Sequence, residues 1–212
     1  MKAGNIQGDS FKVCVEAIVA GDDLTALRLL DASPLLTKER AGHGAIRQTS
    51  KRHFFNRIRH YIYEGDTALH MAAAAYQTLI VEELIARGAG VCARNRRGAE
   101  PLHYAVDGGP GLSAWNPGAQ VKIITSLIRA GADPNSLDKS GVAPLHRAVR
   151  NRCAAAVKAL IDGGADPRAP NKNGSTPMFL ATQNTGKSGS GSAEAKAQQN
   201  KILHLLDEHG AT

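Results

Sequence analysis

Gly65-Asp66-Thr67-Ala68-Leu69-His70 returns as Gly98-Ala99-Glu100-Pro101-Leu102-His103, as Gly141-Val142-Ala143-Pro144-Leu145-His146 and as Gly174-Ser175-Thr176-Pro177-Met178-Phe179. The copies open at spacings of 33, 43 and 33 residues, one strict period broken by a single insertion of 10. A period of this length marks a stacked repeat array. Each copy also closes alike: Leu84-Ile85-Ala86-Arg87-Gly88-Ala89, Leu127-Ile128-Arg129-Ala130-Gly131-Ala132, Leu160-Ile161-Asp162-Gly163-Gly164-Ala165 and, more loosely, Leu205-Leu206-Asp207-Glu208-His209-Gly210-Ala211.

On these residues the chain resembles the ankyrin repeat family. The unit of that family reads Gly-x-Thr-Pro-Leu-His, a helix, a short loop, a second helix with an apolar pair, then Gly-Ala-Asp and a hairpin finger. The resemblance covers residues 64–212, with a degenerate copy over 9–39. It implies an all-α solenoid of helix pairs with short hairpin fingers, counted as a single ankyrin repeat domain over 1–212. The expected divisions are a capping repeat at 9–39, a basic insertion at 40–63, and repeats at 64–97, 98–140, 141–173 and 174–212. The resemblance also implies that His70, His103 and His146 hydrogen-bond the backbone of the adjoining finger. It makes a non-catalytic module that binds another protein the default function.

The physical chemistry of the unit agrees. Thr67 and Thr176 carry hydroxyls suited to capping the first helix, while Pro101, Pro144 and Pro177 sit where a missing N–H costs nothing. Gly88, Gly131 and Gly164 end the second helix. Neither helix can bury its apolar face alone, so neighbours must stack into one continuous core.

Only 4% of the 212 residues are aromatic, and alanine and leucine supply most of the apolar content, as thin, closely packed helices require. No run approaches the roughly 18 apolar residues that span a bilayer. Met1 to Asp9 has no apolar stretch of the signal-peptide kind. Cys14, Cys92 and Cys153 are odd in number and lack CxxC spacing, which reads as incidental thiols of a reducing cytoplasm. A cytoplasmic monomer without cofactor or metal is the expectation.

The net charge of +7 is unevenly placed. Residues 40–63 hold Arg40, Arg47, Lys51, Arg52, Arg57 and Arg59 and no Asp or Glu, whereas the other residues hold 20 basic and 19 acidic side chains. Before this insertion, residues 10–20 and 23–32 read as two helices, with Leu24, Leu27 and Leu30 on one face of the second. Within it, His53 to Tyr63 alternates in part and predicts an extended hairpin. Two readings are open: a structural finger with solvated arginines, or a contact surface for an anionic partner such as nucleic acid, acidic protein or phospholipid headgroups. Interleaved arginine and aromatic side chains suit phosphate contact with stacking.

Candidate partner-binding residues follow from this charge and from the family's concave face. They are Arg52, Arg57 and Arg59 of the insertion, Arg94, Arg96 and Arg97 of the next finger, and Tyr104, Arg147, Arg150 and Asn151 of the inner helices. Trp115, on the Gly/Pro-rich loop Gly109–Gly118, is expected to fold back on the array or to meet the partner.

Other motifs are set aside. Gly186-Lys187-Ser188 imitates the end of a phosphate-binding loop, but Ala181 stands where that motif needs glycine. His43, His53 and His60 share the insertion without a neighbouring Cys or carboxylate. Asp107 is a lone acid at a loop mouth, and Asn173-Gly174-Ser175 reads as turn chemistry. The alternative function is an enzyme or small-ligand protein with a pocket roofed by the insertions. Against it, the two insertions are expected on opposite edges, and a shared pocket requires Trp115 to approach residues 40–63.

Overall fold

A computed structural model describes residues 6–183 and 191–211, with side chains in the first helix from Ser10 onward. The Gly186-Lys187-Ser188 segment and the first five residues lie outside the described residues. Among those described, ten α-helices pair in chain order: α1 (Ile6–Ala20) with α2 (Asp23–Ala32), α3 (Ala68–Ala74) with α4 (Thr78–Ala86), α5 (Pro101–Ala105) with α6 (Pro117–Arg129), α7 (Pro144–Arg150) with α8 (Ala154–Asp162), and α9 (Pro177–Thr182) with α10 (Ala193–Glu208). Inner helices α1, α3, α5, α7 and α9 stack in one row and outer helices α2, α4, α6, α8 and α10 in a second. The chain is therefore the all-α solenoid that its repeats imply.

The repeat opening works as expected, with one difference. Prolines 101, 144 and 177 occupy the first position of α5, α7 and α9. The Thr176 hydroxyl accepts from Phe179 N at 3.1 Å. The Thr67 hydroxyl meets His70 Nδ1 instead, at 2.9 Å. Each repeat histidine bridges two units: its Nδ1 accepts from the N–H of Thr67, Glu100 or Ala143, and its Nε2 lies 3.1, 3.1 and 2.9 Å from Ala99 O, Val142 O and Ala169 O of the following finger. Burial lowers the pKa of all three, that of His103 to about 4, so each is a neutral imidazole that donates from Nε2. In the fifth repeat Phe179 takes this place and is exposed, with no described finger beyond it to receive the bond. Fingers are also tied edge to edge, by Arg96 N to Glu64 O and by Lys139 N to Arg97 O.

The outer helices carry the apolar pairs. Ile80, Val81, Leu84, Ile123, Ile124, Leu127, Val157, Leu160, Ile202 and Leu206 are all fully buried. Gly88, Gly131 and Gly164, with φ of +81°, +100° and +95°, turn the chain out of α4, α6 and α8. Leu24 departs from expectation: it is 76% exposed, because Ala26 and Leu30, one helical turn apart, form the inward stripe of α2 and Leu24 falls off it.

Arg152 is 1% exposed, without a carboxylate partner among the described residues. Its Nη1 donates to Ala181 O at 2.8 Å and its Nη2 donates to Gln183 O, so a cation of the fourth repeat closes the last turn of α9. Arg152→Ala is expected to lower stability by about 1.5–3 kcal/mol, the worth of charge-assisted bonds at a buried site. Arg152→Lys should restore only part, since a point ammonium cannot fork to two carbonyls. Urea unfolding of the three proteins checks both values.

The insertion forms the expected hairpin, though a short one. A 3-10 turn over Ser50–His53 leads into β1 (Phe54–Phe55), which pairs antiparallel with β2 (His60–Tyr61) in the register Phe54 to Tyr61 and Phe55 to His60. Its neck is closed by Ala41 N to Asp66 O and Gly65 N to Ala41 O. Phe55, Ile58, Ile62 and Tyr63 pack against the array's core. The insertion thus lies on the solenoid as a strap.

Candidate functional site

The strap crosses the concave side over the ends of α3 and α5, and His60 is its anchor. The His60 ring packs on Tyr104 of α5, tilted by 47° at 4.4 Å between centroids. Nδ1 lies 2.7 Å from Tyr61 O and Nε2 lies 3.0 Å from Asp107 Oδ2. Both ring nitrogens face acceptors, so the arrangement is made for imidazolium donating twice. Arg147 of α7 continues the chain of charge, donating from Nη1 to Asp107 Oδ2 at 3.1 Å and from Nη2 to Asp138 Oδ2 at 2.7 Å. One relay, His60–Asp107–Arg147–Asp138, therefore joins the strap, the third and fourth repeats and the finger between them.

The ionisations agree with this geometry. Burial opposes the His60 cation, but the hydrogen bond and charge of Asp107, with help from Tyr61 O and Asp66, outweigh it and raise its pKa above 6.5. Burial likewise raises Asp107, but Arg147 and then His60 pull harder and leave it below the usual carboxylate range. Asp138 is lowered by the Arg147 bond and by the Val142 and Ser140 amides against the same opposition. A histidine whose pKa is raised on folding stabilises the docked strap fully below its unfolded pKa, and that contribution is lost as pH rises through the folded value. Above it a neutral ring leaves one nitrogen lone pair facing an oxygen. Amide exchange over residues 54–63 should therefore quicken on raising pH through this range, after correction for intrinsic rates. The His60 ring resonance should titrate with a midpoint above 6.5, which Asp107→Asn lowers. A midpoint at or below 6.5 in the unmodified chain contradicts the anchor.

Beneath the relay lies a second buried network. Asp66 accepts from Tyr63 N at 2.6 Å, Asn95 Nδ2 at 2.8 Å and the Tyr104 hydroxyl at 2.8 Å. Tyr104 is 1% exposed, which removes it from the candidate contact residues: the strap covers its ring and Asp66 takes its hydroxyl.

The other candidates divide into tied and free. Arg94 is held by Glu100 at 3.0 Å and Ser136 at 2.9 Å, and Arg96 donates to Ala45 O at 2.6 Å, so both fasten fingers. Arg147 belongs to the relay, and Asn151 donates to Val106 O at 2.9 Å. Arg97 stacks over the Tyr63 ring at 5.0 Å and touches its hydroxyl at 3.1 Å. Arg52, Arg57, Arg59 and Arg150 are exposed and make no side-chain hydrogen bond or ion pair among the described residues. Trp115 is folded back, half-buried against the core, with its indole N–H donating to Gln120 Oε1 at 3.2 Å.

A polar hollow of about 320 Å³ opens on the concave face, bordered by His60, Tyr63, Arg97, Asp107, Arg147 and Arg150. A neighbouring hollow of about 280 Å³ lies among Arg47, Tyr61, Tyr63, Arg96 and Arg97. A third, of about 140 Å³, lies between Asn56–Arg59 and Leu112–Trp115. The two insertions are thus neighbours, contrary to the expectation of opposite edges. The strap is long enough to cross the inner helices and reach the loop at their far end. His60, Asp107 and Asp138 were not among the candidates. The available signal was the repeat register, which places Tyr104 and Arg147 at matching positions of α5 and α7, and Asp107, just past the end of α5, at the position equivalent to Arg150.

Comparison with known families matches an ankyrin repeat over residues 64–96 and a set of three ankyrin repeat copies over residues 111–194. No helix among the described residues is long and apolar enough to cross a membrane.

Proposed function

Because the chain belongs to the ankyrin repeat family, whose arrays generally serve protein–protein interaction, we propose that it is a non-catalytic module that binds an anionic protein partner through its strap and concave face. One observation carries the reading. Arg47, Lys51, Arg52, Arg57 and Arg59 lie exposed on the strap with no side-chain partner among the described residues, in a chain otherwise nearly balanced in charge. Unpaired cations grouped on one surface steer and hold an anionic partner. Free Cys14, Cys92 and Cys153 accord with a reducing cytoplasm.

The reading as an enzyme or small-ligand protein draws on the hollow between the strap and the Trp115 loop. At about 140 Å³ it falls below the few hundred Å³ usual for ligand pockets. Its phenol, Tyr76, already donates to Asp107 O at 2.6 Å. In the larger concave hollow, His60 has neither nitrogen free to take a substrate proton, and Arg147 spans two carboxylates. These are groups spent on structure.

The test is capture of a partner from the source cell with the full chain and with its Arg52→Glu/Arg57→Glu/Arg59→Glu form. Charge reversal is preferred to deletion, because deleting the strap strips the cover from Tyr104 and Asp107. Capture of the same partner by both forms overturns the role of the strap.

A further inference from the structure

The two larger hollows share Tyr63 and Arg97, whose stack borders both. On the concave side the relay balances itself: Arg147 and the His60 cation offset Asp107 and Asp138. Arg97 and Arg150 are then uncompensated. On the finger side, among the described residues, Arg47 is unpaired, Arg96 is bound only to a backbone carbonyl, and no Asp or Glu borders the hollow. Arg97 sits on the ridge between them. One N–H is given to Tyr63, and the rest of its planar fork is free among the described residues.

We infer that this ridge is the seat of an acidic linear peptide, a segment of the protein partner that crosses the Arg97–Tyr63 stack and places one carboxylate side chain in each hollow. The inference rests on the binding-module reading above and specifies its ligand. Charge complementarity selects an anion, and guanidinium forks pair with carboxylates side by side. The surroundings select a peptide over nucleic acid. Stacking of bases needs free aromatic faces, yet Tyr63 is covered by Arg97, and Tyr61 lies 4.7 Å from Phe54 and 6.2 Å from Tyr63 between ring centroids. A flat headgroup layer cannot follow Arg150 into a concavity. Two hollows, each of a size to admit a side chain and set on either side of a fixed ridge, fit an extended chain with acidic residues at a set separation.

The test measures binding of the full chain to a labelled peptide pool in which two Glu are fixed at graded separations and the other positions are randomised. The same pool with Gln at those positions, a single-stranded oligonucleotide and phosphatidylserine vesicles serve as competitors. We expect saturable, salt-sensitive binding at a narrow range of Glu separations. Arg97→Glu and Arg150→Glu should each weaken it about tenfold or more, with helix content and unfolding midpoint retained to show that the fold persists. The assignment is overturned if no separation exceeds its Gln counterpart, if the oligonucleotide or vesicles bind more tightly than every peptide, or if both reversals leave binding unchanged. A partner lost on reversing Arg52, Arg57 and Arg59, together with a silent peptide pool, would leave the module reading standing and remove only this seat.

Discussion

Reversing Arg52, Arg57 and Arg59 to Glu is expected to abolish association while leaving the array folded. The three changes take the formal net charge from +7 to +1 and turn the exposed cations of the 3-10 turn and the hairpin turn into anions facing the proposed anionic partner. Like-charge juxtaposition at an interface costs several kcal/mol, which is about a thousandfold or more in affinity. The folded state should scarcely notice, since none of the three side chains makes a hydrogen bond or ion pair among the described residues and exposed changes of this kind stay within about 0.5 kcal/mol. Titration calorimetry of the captured partner against both forms, paired with thermal unfolding, reads the two effects separately. Association of the unmodified chain should also fall steeply with added salt, as screening and counterion release require. If the triple reversal leaves association intact while Arg150→Glu destroys it, recognition belongs to the open end of the concave face and the strap is only its cover.

Leu145→Ala should cost about 2–5 kcal/mol, the range for truncating a buried leucine. Leu145 is 1% exposed in α7, which packs on α5, α8 and α9. A repeat array is stabilised by nearest-neighbour interfaces, so a cavity here weakens contacts toward both the third and fifth repeats. Chemical denaturation followed by helix content checks the value. A loss under about 1 kcal/mol would place Leu145 outside the shared core.

The periodic opening made the solenoid legible without coordinates. A proline that needs no donor, a histidine three residues after the cap and a glycine that turns out of the second helix are local requirements, and any chain that meets them every period folds the same way. The resemblance to the ankyrin family implied the bonds of His70, His103 and His146, and they form because each repeat meets its neighbour in one fixed geometry. Partial alternation over His53 to Tyr63 foretold a hairpin at the strap, whereas Trp115 had two placements open and the structure shows the folded-back one. Local pattern misjudged Leu24, where a leucine every third residue suggested a face that the helix does not present. It misjudged Thr67 too, whose hydroxyl finds a ring nitrogen closer than the backbone.

What the sequence by itself determined is the array: its period, its helix pairs, and the concentration of cations in residues 40–63. What only the tertiary structure decided is which of those charges are free. Tyr104 looked like a contact residue and is buried beneath His60, while Asp107 looked like a lone acid and is the centre of the relay. Arg94 and Arg96 fasten fingers, whereas Arg97 and Arg150 stay open. These assignments depend on pairs far apart in the chain, such as His60 with Asp107 and Arg96 with Ala45. The strap's landing place on the concave face is set by packing of Phe55, Ile58 and Ile62 against the finished core. No spacing within the strap encodes it, because the surface that receives it exists only once the repeats have stacked.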